Sequence, residues 1–539
     1  VDLLVALDAQ LEHVRRNLSY YFSPNTHLLG EALALYVAGV AVLELKRSHR
    51  WLRTGRTILL DEIDRQILTD GGHVERSAHY HRYALDYYLL ALTVARIAGD
   101  EAAESAFDRA ATRLAACARS LADERGRMPA LGDDDGGSLF PIAGRDPADV
   151  TDSLDIASKL LRRPELSLGA REESLWLLGA WMSDIDVPAA RPSALPRAEA
   201  FDDMGYYIAR PSAGAHLVFD VGRHGFLNGG HAHADALSIV LTIDGRPLLI
   251  DPGTAVYTTD AALRDRFRGT ALHNTLLVDG RPQSEPSRPF QWHSRIDARP
   301  LARVDEPGLV YFEAAHAGFA PLEHRRSVLC VEDLVLVADH LVSTSGPTKR
   351  TAVEAHWHFD PAWTEARSDE KGSNWQLDAD LARAWMTTTV SGARLYRADE
   401  ASGLGWSSPR YGCVVPATTI VAGVGAPTPL SIVTAFGMGL PWRVQAVAPR
   451  ETEGDGWHRA GVVLERGHDR IVVLFATENG STAVKPGDRI PHPAAPWPTR
   501  VVDTDARVAV VRLGPSGTVR SQYRIGGTRL QVGAMSLAG

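Results

Sequence analysis

The chain has three cysteines among its 539 residues, Cys117, Cys330 and Cys413. They lie far apart and are odd in number, which excludes a disulfide framework or a Cys-x-x-Cys metal site. They are expected as small buried hydrophobes. Lysine is nearly absent, with Lys46, Lys159, Lys349, Lys371 and Lys485 the only five among 57 basic residues, a bias that points to a GC-rich genome. Basic excess is also missing. The net charge of −9 argues against a general nucleic-acid binder, which would carry a basic face. It leaves room for an acidic polysaccharide, because a local arginine-rich cleft focuses potential within an acidic protein. No apolar run reaches membrane-spanning length, so no membrane insertion is expected. The opening VDLLVALDAQLEHVRR starts acidic, with no basic segment ahead of an apolar core, and does not read as a secretory signal. There is no internal repeat and no low-complexity tract.

The composition that is there is that of a globular protein, 45% hydrophobic and 23% charged. The length calls for at least two domains. Residues 1–186 read as helical. LLGEALALYVAGVAVLEL at 28–45 carries Ala and Leu at helical spacing without proline. From Ser77, a candidate N-cap, Tyr80, Tyr83, Tyr87, Leu90, Val94 and Ile97 recur three or four apart. Further helices are expected near 101–123, 150–162 and 170–183, with breaks at TDGG and GDDDGG. Paired helices with short loops suggest an α/α toroid-type array. The Pro- and Ala-rich segment 187–201 reads as a linker. From 202 to 539 the pattern changes to short β-rich runs bounded by turns, with hairpin signals at Asp244-Gly245 and Asp279-Gly280. Such runs imply antiparallel sheets stacked as a β-sandwich.

The densest chemistry lies between Asn228 and Asp279: HAHAD at 231–235, DPG at 251–253 and HNT at 273–275. On a strand, imidazoles two apart share a face. His233, Asp251 and His273 follow at intervals of 18 and 22 residues, the reach of a strand, a turn and a returning strand. Two imidazoles and a carboxylate are a ligand set for zinc. They leave His231 free beside the ion as a proton carrier.

NGGHAHADALSIVLTIDGRPLLIDPG followed by RDRFRGTALHNTLLVDGRPQ resembles the C-terminal module of the heparinase II/III-like polysaccharide lyases, a family that includes alginate and oligoalginate lyases. Looser matches in the same order are SPNTHLLGEALALYVAG, DGGHVERSAHYHRYALDYY and GDDDGG. The resemblance implies a lyase that cleaves a uronic-acid glycan by β-elimination, with no organic cofactor. It assigns His233, Asp251 and His273 to zinc and turns His231 toward substrate. It also sets a catalytic tyrosine in HYHRY, for which Tyr80 at the helix start is chosen over Tyr83, with His79 and His81 flanking it and either able to lower its pKa. An asparagine of the family contacts the uronate carboxyl group. Here the pattern is Asn25-Thr26-His27, which leaves Asn25 or Thr26 for that role, with His27 beside it. Arg76 and Arg268 are candidate grips for the carboxylate, since guanidinium matches it bidentately. GDDDGG reads as a structural turn. The helical part is short for a full toroid, so either N-terminal hairpins lie outside this chain or the toroid is a reduced one. A non-catalytic glycan-binding or assembly protein and a zinc-dependent hydrolase are the alternatives. The resemblance implies work in the cell envelope or outside the cell, while the absence of a visible export signal in the chain as given leaves the cytoplasm open.

Overall fold

The computed structural model describes residues 2–534 apart from 22, 143, 145, 180–194, 381, 448–456, 479–488, 491–499, 505, 515–517 and 529. Most of the expected linker, up to residue 194, lies outside the described residues. Its end does not behave as one, because Ala198–Phe201 is already a strand of the first sheet.

The described residues before 180 hold the α-helices Asp2–Arg16, Thr26–Ala41, Ser48–Gln66, Ala78–Ala98, Glu101–Leu121, Thr151–Leu160 and Glu172–Leu178. Asn25 caps Thr26–Ala41 by accepting from the His27 N–H at 3.1 Å. That helix is apolar nearly all round and therefore buried, with Leu28, Leu29, Ala32, Leu35 and Tyr36 shut from solvent. It packs backbone to backbone on Ser48–Gln66. A Cβ on Gly55 would stand 2.3 Å from the Ala32 carbonyl oxygen, and one on Gly39 2.5 Å from the Leu52 backbone. Ser77 caps Ala78–Ala98 through the Tyr80 N–H at 3.2 Å, and Gly99 ends it in the left-handed conformation. The helical core runs on into Phe201, Met204, Tyr206, Ile208 and Val218, so the helices sit directly on the first sheet.

The strands pair antiparallel. The first sheet includes Tyr206–Ala209, His216–Asp220, Ile239–Ile243, Arg246–Leu249, Thr351–Phe359 and Thr418–Ala426. The second includes Leu309–Phe319, Leu322–Val331, Leu334–Ser343, Ala382–Thr388 and Leu430–Met438. One core joins them, with Leu217, Leu249, Trp357 and Ile420 from the first and Phe312, Val328, Val337, Met386 and Phe436 from the second. The reading of a single two-layer domain over 202–539 needs correction. A third sheet, built from Arg443–Val447, Trp457–Arg466, Asp469–Glu478, Val508–Leu513 and Val519–Ile525, covers the other face of the second.

Both hairpin signals turn the chain as expected. Asp244 and Gly245, both at positive φ, close the hairpin between Ile239–Ile243 and Arg246–Leu249. Asp279 and Gly280 also turn the chain at positive φ and close an antiparallel bridge between Val278 and Arg281, while Leu276–Val278 pairs in addition with Thr351–Phe359. HAHAD is not on a strand. It forms the irregular connection between His216–Asp220 and Ile239–Ile243, where the chain meets the helical layer.

Candidate active site

The site is built where that connection meets two loops of the helical layer. The loop at 132–137 supplies Asp133, a buried carboxylate at the centre. Its Oδ2 faces His231 Nδ1 at 3.1 Å, and its Oδ1 faces His233 Nε2 at 3.0 Å. Arg264, buried in the short helix Ala261–Phe267, donates to both oxygens, with Nη2 at 2.6 Å from Oδ2. Burial alone would favour the neutral acid, but the Arg264 charge and the two imidazoles hold Asp133 well below the usual carboxylate range.

Tyr80 lies one turn into its capped helix. Its ring stacks on His231 with centroids 4.0 Å apart. Its hydroxyl is 2.9 Å from that of Tyr257, which carries Arg264 over its ring, and 3.5 Å from Asp135. Burial and the nearby Asp135 push the Tyr80 phenol above its ordinary value, against the effect of the Tyr257 hydrogen bond. The flanking histidines do not lower it as expected. His79 is tied to Asp134 and Asp135, and His81 faces the Leu114 carbonyl.

Asn25 and His231, from different layers, converge on one atom. Asn25 Nδ2 donates to Glu75 Oε2 at 2.9 Å, and His231 Nε2 lies 3.4 Å from the same oxygen. Thr26 bonds the other oxygen of Glu75 through its N–H (3.1 Å) and hydroxyl (2.7 Å). Burial works against charge on His231, yet Asp133 and Glu75 prevail and raise its pKa above the ordinary imidazole value.

Directly behind, His233, Asp235, Asp251 and His273 form a buried group whose ligand atoms, one from each, all lie within 4.8 Å of one another. The Asp251 and His273 Nδ1 contact is 3.0 Å. Gly253, at positive φ, turns the chain after Asp251 and donates its N–H to the Asp251 carboxylate at 2.9 Å. His233 Nδ1 and His273 Nε2 are buried without a hydrogen-bond partner. Two orphaned imidazole nitrogens between two carboxylates suit a divalent cation with nitrogen and oxygen ligands. Desolvation pushes both the buried Asp235 and the half-buried Asp220 above the usual carboxylate range.

The structure thus brings together Tyr80, His231 and Asn25, and separately His233, Asp251 and His273. The other three expected residues have surroundings of their own. The His27 side chain is exposed at its helix start. Arg76 donates to the carbonyls of Val74, Gly225 and Asp203, where it fastens the helical layer to the first sheet rather than waiting for a carboxylate. Arg268 is fully buried. It donates to Asp265 and to the carbonyls of Arg288 and Pro289, with its guanidinium over Trp292. GDDDGG is more than a turn, since it delivers Asp133 and Asp135. Glu75, Asp133, Asp235, Tyr257 and Arg264 were not singled out from the sequence. Asp235 ends HAHAD itself and Arg264 opens RDRFRG, so both sat inside the most telling motifs.

Comparison with known proteins bears on the same segments. Residues 1–111 match the model of the heparinase II/III N-terminus, and residues 193–474 that of the heparinase II/III-like C-terminal region. A heparin-sulfate lyase of Bacteroides stercoris is 23% identical over 383 residues, covering 68% of this chain and 52% of that protein. One of Pedobacter heparinus is 24% identical over 330 residues, covering 60% and 45%. The chain therefore spans about half the length of these relatives. The fold is similar to a crystal structure of heparinase III, with TM-score 0.66 at 17% identity, covering 88% of this chain and 70% of that one. It is also similar to heparan sulfate lyase HepC from Pedobacter heparinus, with TM-score 0.61 at 19% identity, covering 89% and 70%. With the C-terminal model alone matching more than half of its residues, this chain belongs to the heparinase II/III-like family.

Proposed function

We propose that the protein is a polysaccharide lyase that cleaves a 4-linked uronic-acid glycan of the heparan-sulfate type by β-elimination. The observation that carries this reading is the convergence of Asn25 and His231 on a single carboxylate oxygen, with Tyr80 stacked on that imidazole. Elimination requires the uronate carboxylate to be neutralised, so that the C5 proton becomes acidic and the enolate-like transition state is stabilised. The Asn25 amide, a neutral donor, is suited to that task. Tyr80 and His231 form the proton-transfer pair. One removes the C5 proton and the other hands a proton to the departing O4, in the order set by whether the two groups lie syn or anti on the ring. The names of the relatives support the substrate class. A large anionic glycan does not cross membranes unaided, which favours a reaction in the cell envelope or outside the cell.

In this reading the helices belong to an α/α toroid and the first two sheets to a β-sandwich. His233, Asp251 and His273, with Asp235 beside them, would hold zinc. Bound there, zinc would supply positive charge and a rigid anchor for the connection that carries His231. Metal analysis should give about one zinc per chain, as expected of one such site. His233→Ala or Asp251→Ala should lose it and lower the unfolding temperature. A wild type that is metal-free and equally stable refutes the zinc assignment.

The test of function is an assay with heparan sulfate, heparin, chondroitin, hyaluronan and alginate, read by ultraviolet absorbance. An unsaturated, absorbing product identifies a lyase. Chain cleavage without absorbance means a hydrolase, and affinity without turnover means a binding protein.

A further inference from the structure

We infer that Asp133 is a positioning residue shared by the proton-transfer imidazole and the cation cluster, one carboxylate oxygen orienting His231 and the other orienting His233. This rests on the roles given to His231 and to the cluster under the proposed function. The geometry is that of a two-headed clamp. Oδ2 receives the Nδ1 side of His231 (3.1 Å), which turns Nε2 toward the oxygen shared with Asn25. Oδ1 receives the Nε2 side of His233 (3.0 Å), which leaves the buried, unpartnered Nδ1 of that ring for a cation. An outer carboxylate on the far nitrogen of a ligating imidazole fixes the tautomer and raises the basicity of the ligand. Here the same carboxylate also holds a second imidazole.

The carboxylate is itself immobilised. Arg264 grips both oxygens, the Asp133 N–H donates to the His231 carbonyl at 3.0 Å, and the Ser77 hydroxyl donates to the Asp133 carbonyl at 2.7 Å. Gly132 lets the two main chains approach, since a Cβ there would stand 3.0 Å from the His231 carbonyl oxygen. Asp133 belongs to the helical layer, and both imidazoles belong to the sheet layer. Docking of the layers therefore aligns the two histidines in one step.

The test uses the full chain and three readouts. In Asp133→Asn, zinc affinity measured against a chromophoric chelator should fall about 10- to 100-fold, as for loss of an outer carboxylate. His231→Gln should keep zinc affinity close to wild type. Proton NMR should show a low-field imidazole N–H from His231 Nδ1, identified by its loss in His231→Gln, and Asp133→Asn should lose it too. On heparan sulfate, Asp133→Asn should lower kcat on the order of 100-fold with little change in KM, because the proton-transfer group is misaligned while binding is retained. Asp133→Glu keeps a charge opposite Arg264 and serves if the asparagine variant does not fold. Its displaced carboxylate should weaken zinc affinity and the low-field signal together. Wild-type zinc affinity in whichever variant folds, an unchanged low-field proton, or loss of one without the other overturns the shared role. If the zinc and proton signals respond but wild type produces no unsaturated product from any of the five glycans, the lyase reading fails and the positioning role stands.

Discussion

Tyr80 is the residue on which the proposed chemistry turns. Tyr80→Phe removes one oxygen and keeps the ring on His231. If the phenol moves a proton in the transition state, kcat should fall on the order of 100-fold or more, with KM nearly unchanged. Steady-state kinetics on the best glycan checks this, and wild-type turnover would shift the assignment to other groups. Tyr83→Phe is the control. Its hydroxyl donates to Asp135 at 3.1 Å, to one side of His231, so the loss should be small. At this scale the sequence was informative wherever residues close in the chain act together. Ser77 as a cap and the paired imidazoles of HAHAD could be picked out by local spacing, whereas Tyr80 stood out from the aromatic stripe only through the family resemblance. Asp133 could not, because its partners are about 100 and 131 residues away and an acid between glycines looks like a solvated turn. Arg264 and Arg268 were equally opaque. In the sequence they resemble surface arginines, and their burial follows only from the carbonyls and the carboxylate that surround them.

Among the elements, the second sheet carries a device that supports the site from behind. Arg326 donates to Asp339 on the neighbouring strand through Nε at 2.7 Å and Nη2 at 2.9 Å. Its Nη1 reaches the carbonyls of Leu237 and Asn274, which flank the site loops, and His324 also faces Asp339 at 2.7 Å. Asp339→Asn would leave a buried guanidinium uncompensated and should destabilise the fold by about 3–5 kcal/mol, measured by urea unfolding at neutral pH. Although burial works the other way, Arg326 and His324 hold the Asp339 carboxyl well below the usual range. A depressed folded-state pKa gives stability that is present above the unfolded value, about 3.9. That stability is lost as pH falls toward the folded value. The gap in stability between wild type and Asp339→Asn should therefore narrow below about pH 4. Element types were largely legible in the sequence, because helical and strand periods differ sharply either side of the linker. HAHAD was misplaced onto a strand because alternation of His and Ala mimics a period of two. Here the alternation serves a loop whose two imidazoles reach opposite oxygens of one carboxylate.

For the molecule as a whole, the site exists only across the junction of helices and sheet. Asn25, Glu75, Tyr80 and Asp133 come from one side, and His231, Tyr257 and Arg264 from the other. Each half expressed alone should be inactive on every glycan that the full chain cleaves, and an active helical half would refute this. Arg76 is part of the same junction, so Arg76→Ala should loosen it and lower activity through alignment, although its guanidinium contacts only main-chain carbonyls in the described structure.

The third sheet has a consequence of its own. Leu309, Tyr311, Leu329, Leu336 and Trp385 of the second sheet are closed off by Val462, Leu464, Ile471, Val473 and Val508 of the third. The strands between them are apolar on both sides, as in an interior wall. A shortened version ending near residue 442 would keep every residue of the candidate site and still strip that wall bare, presenting an adhesive slab to its own copies. Trimming the protein to the part that holds the site should thus yield inclusion bodies unless the outward-facing side chains of that wall are first made polar.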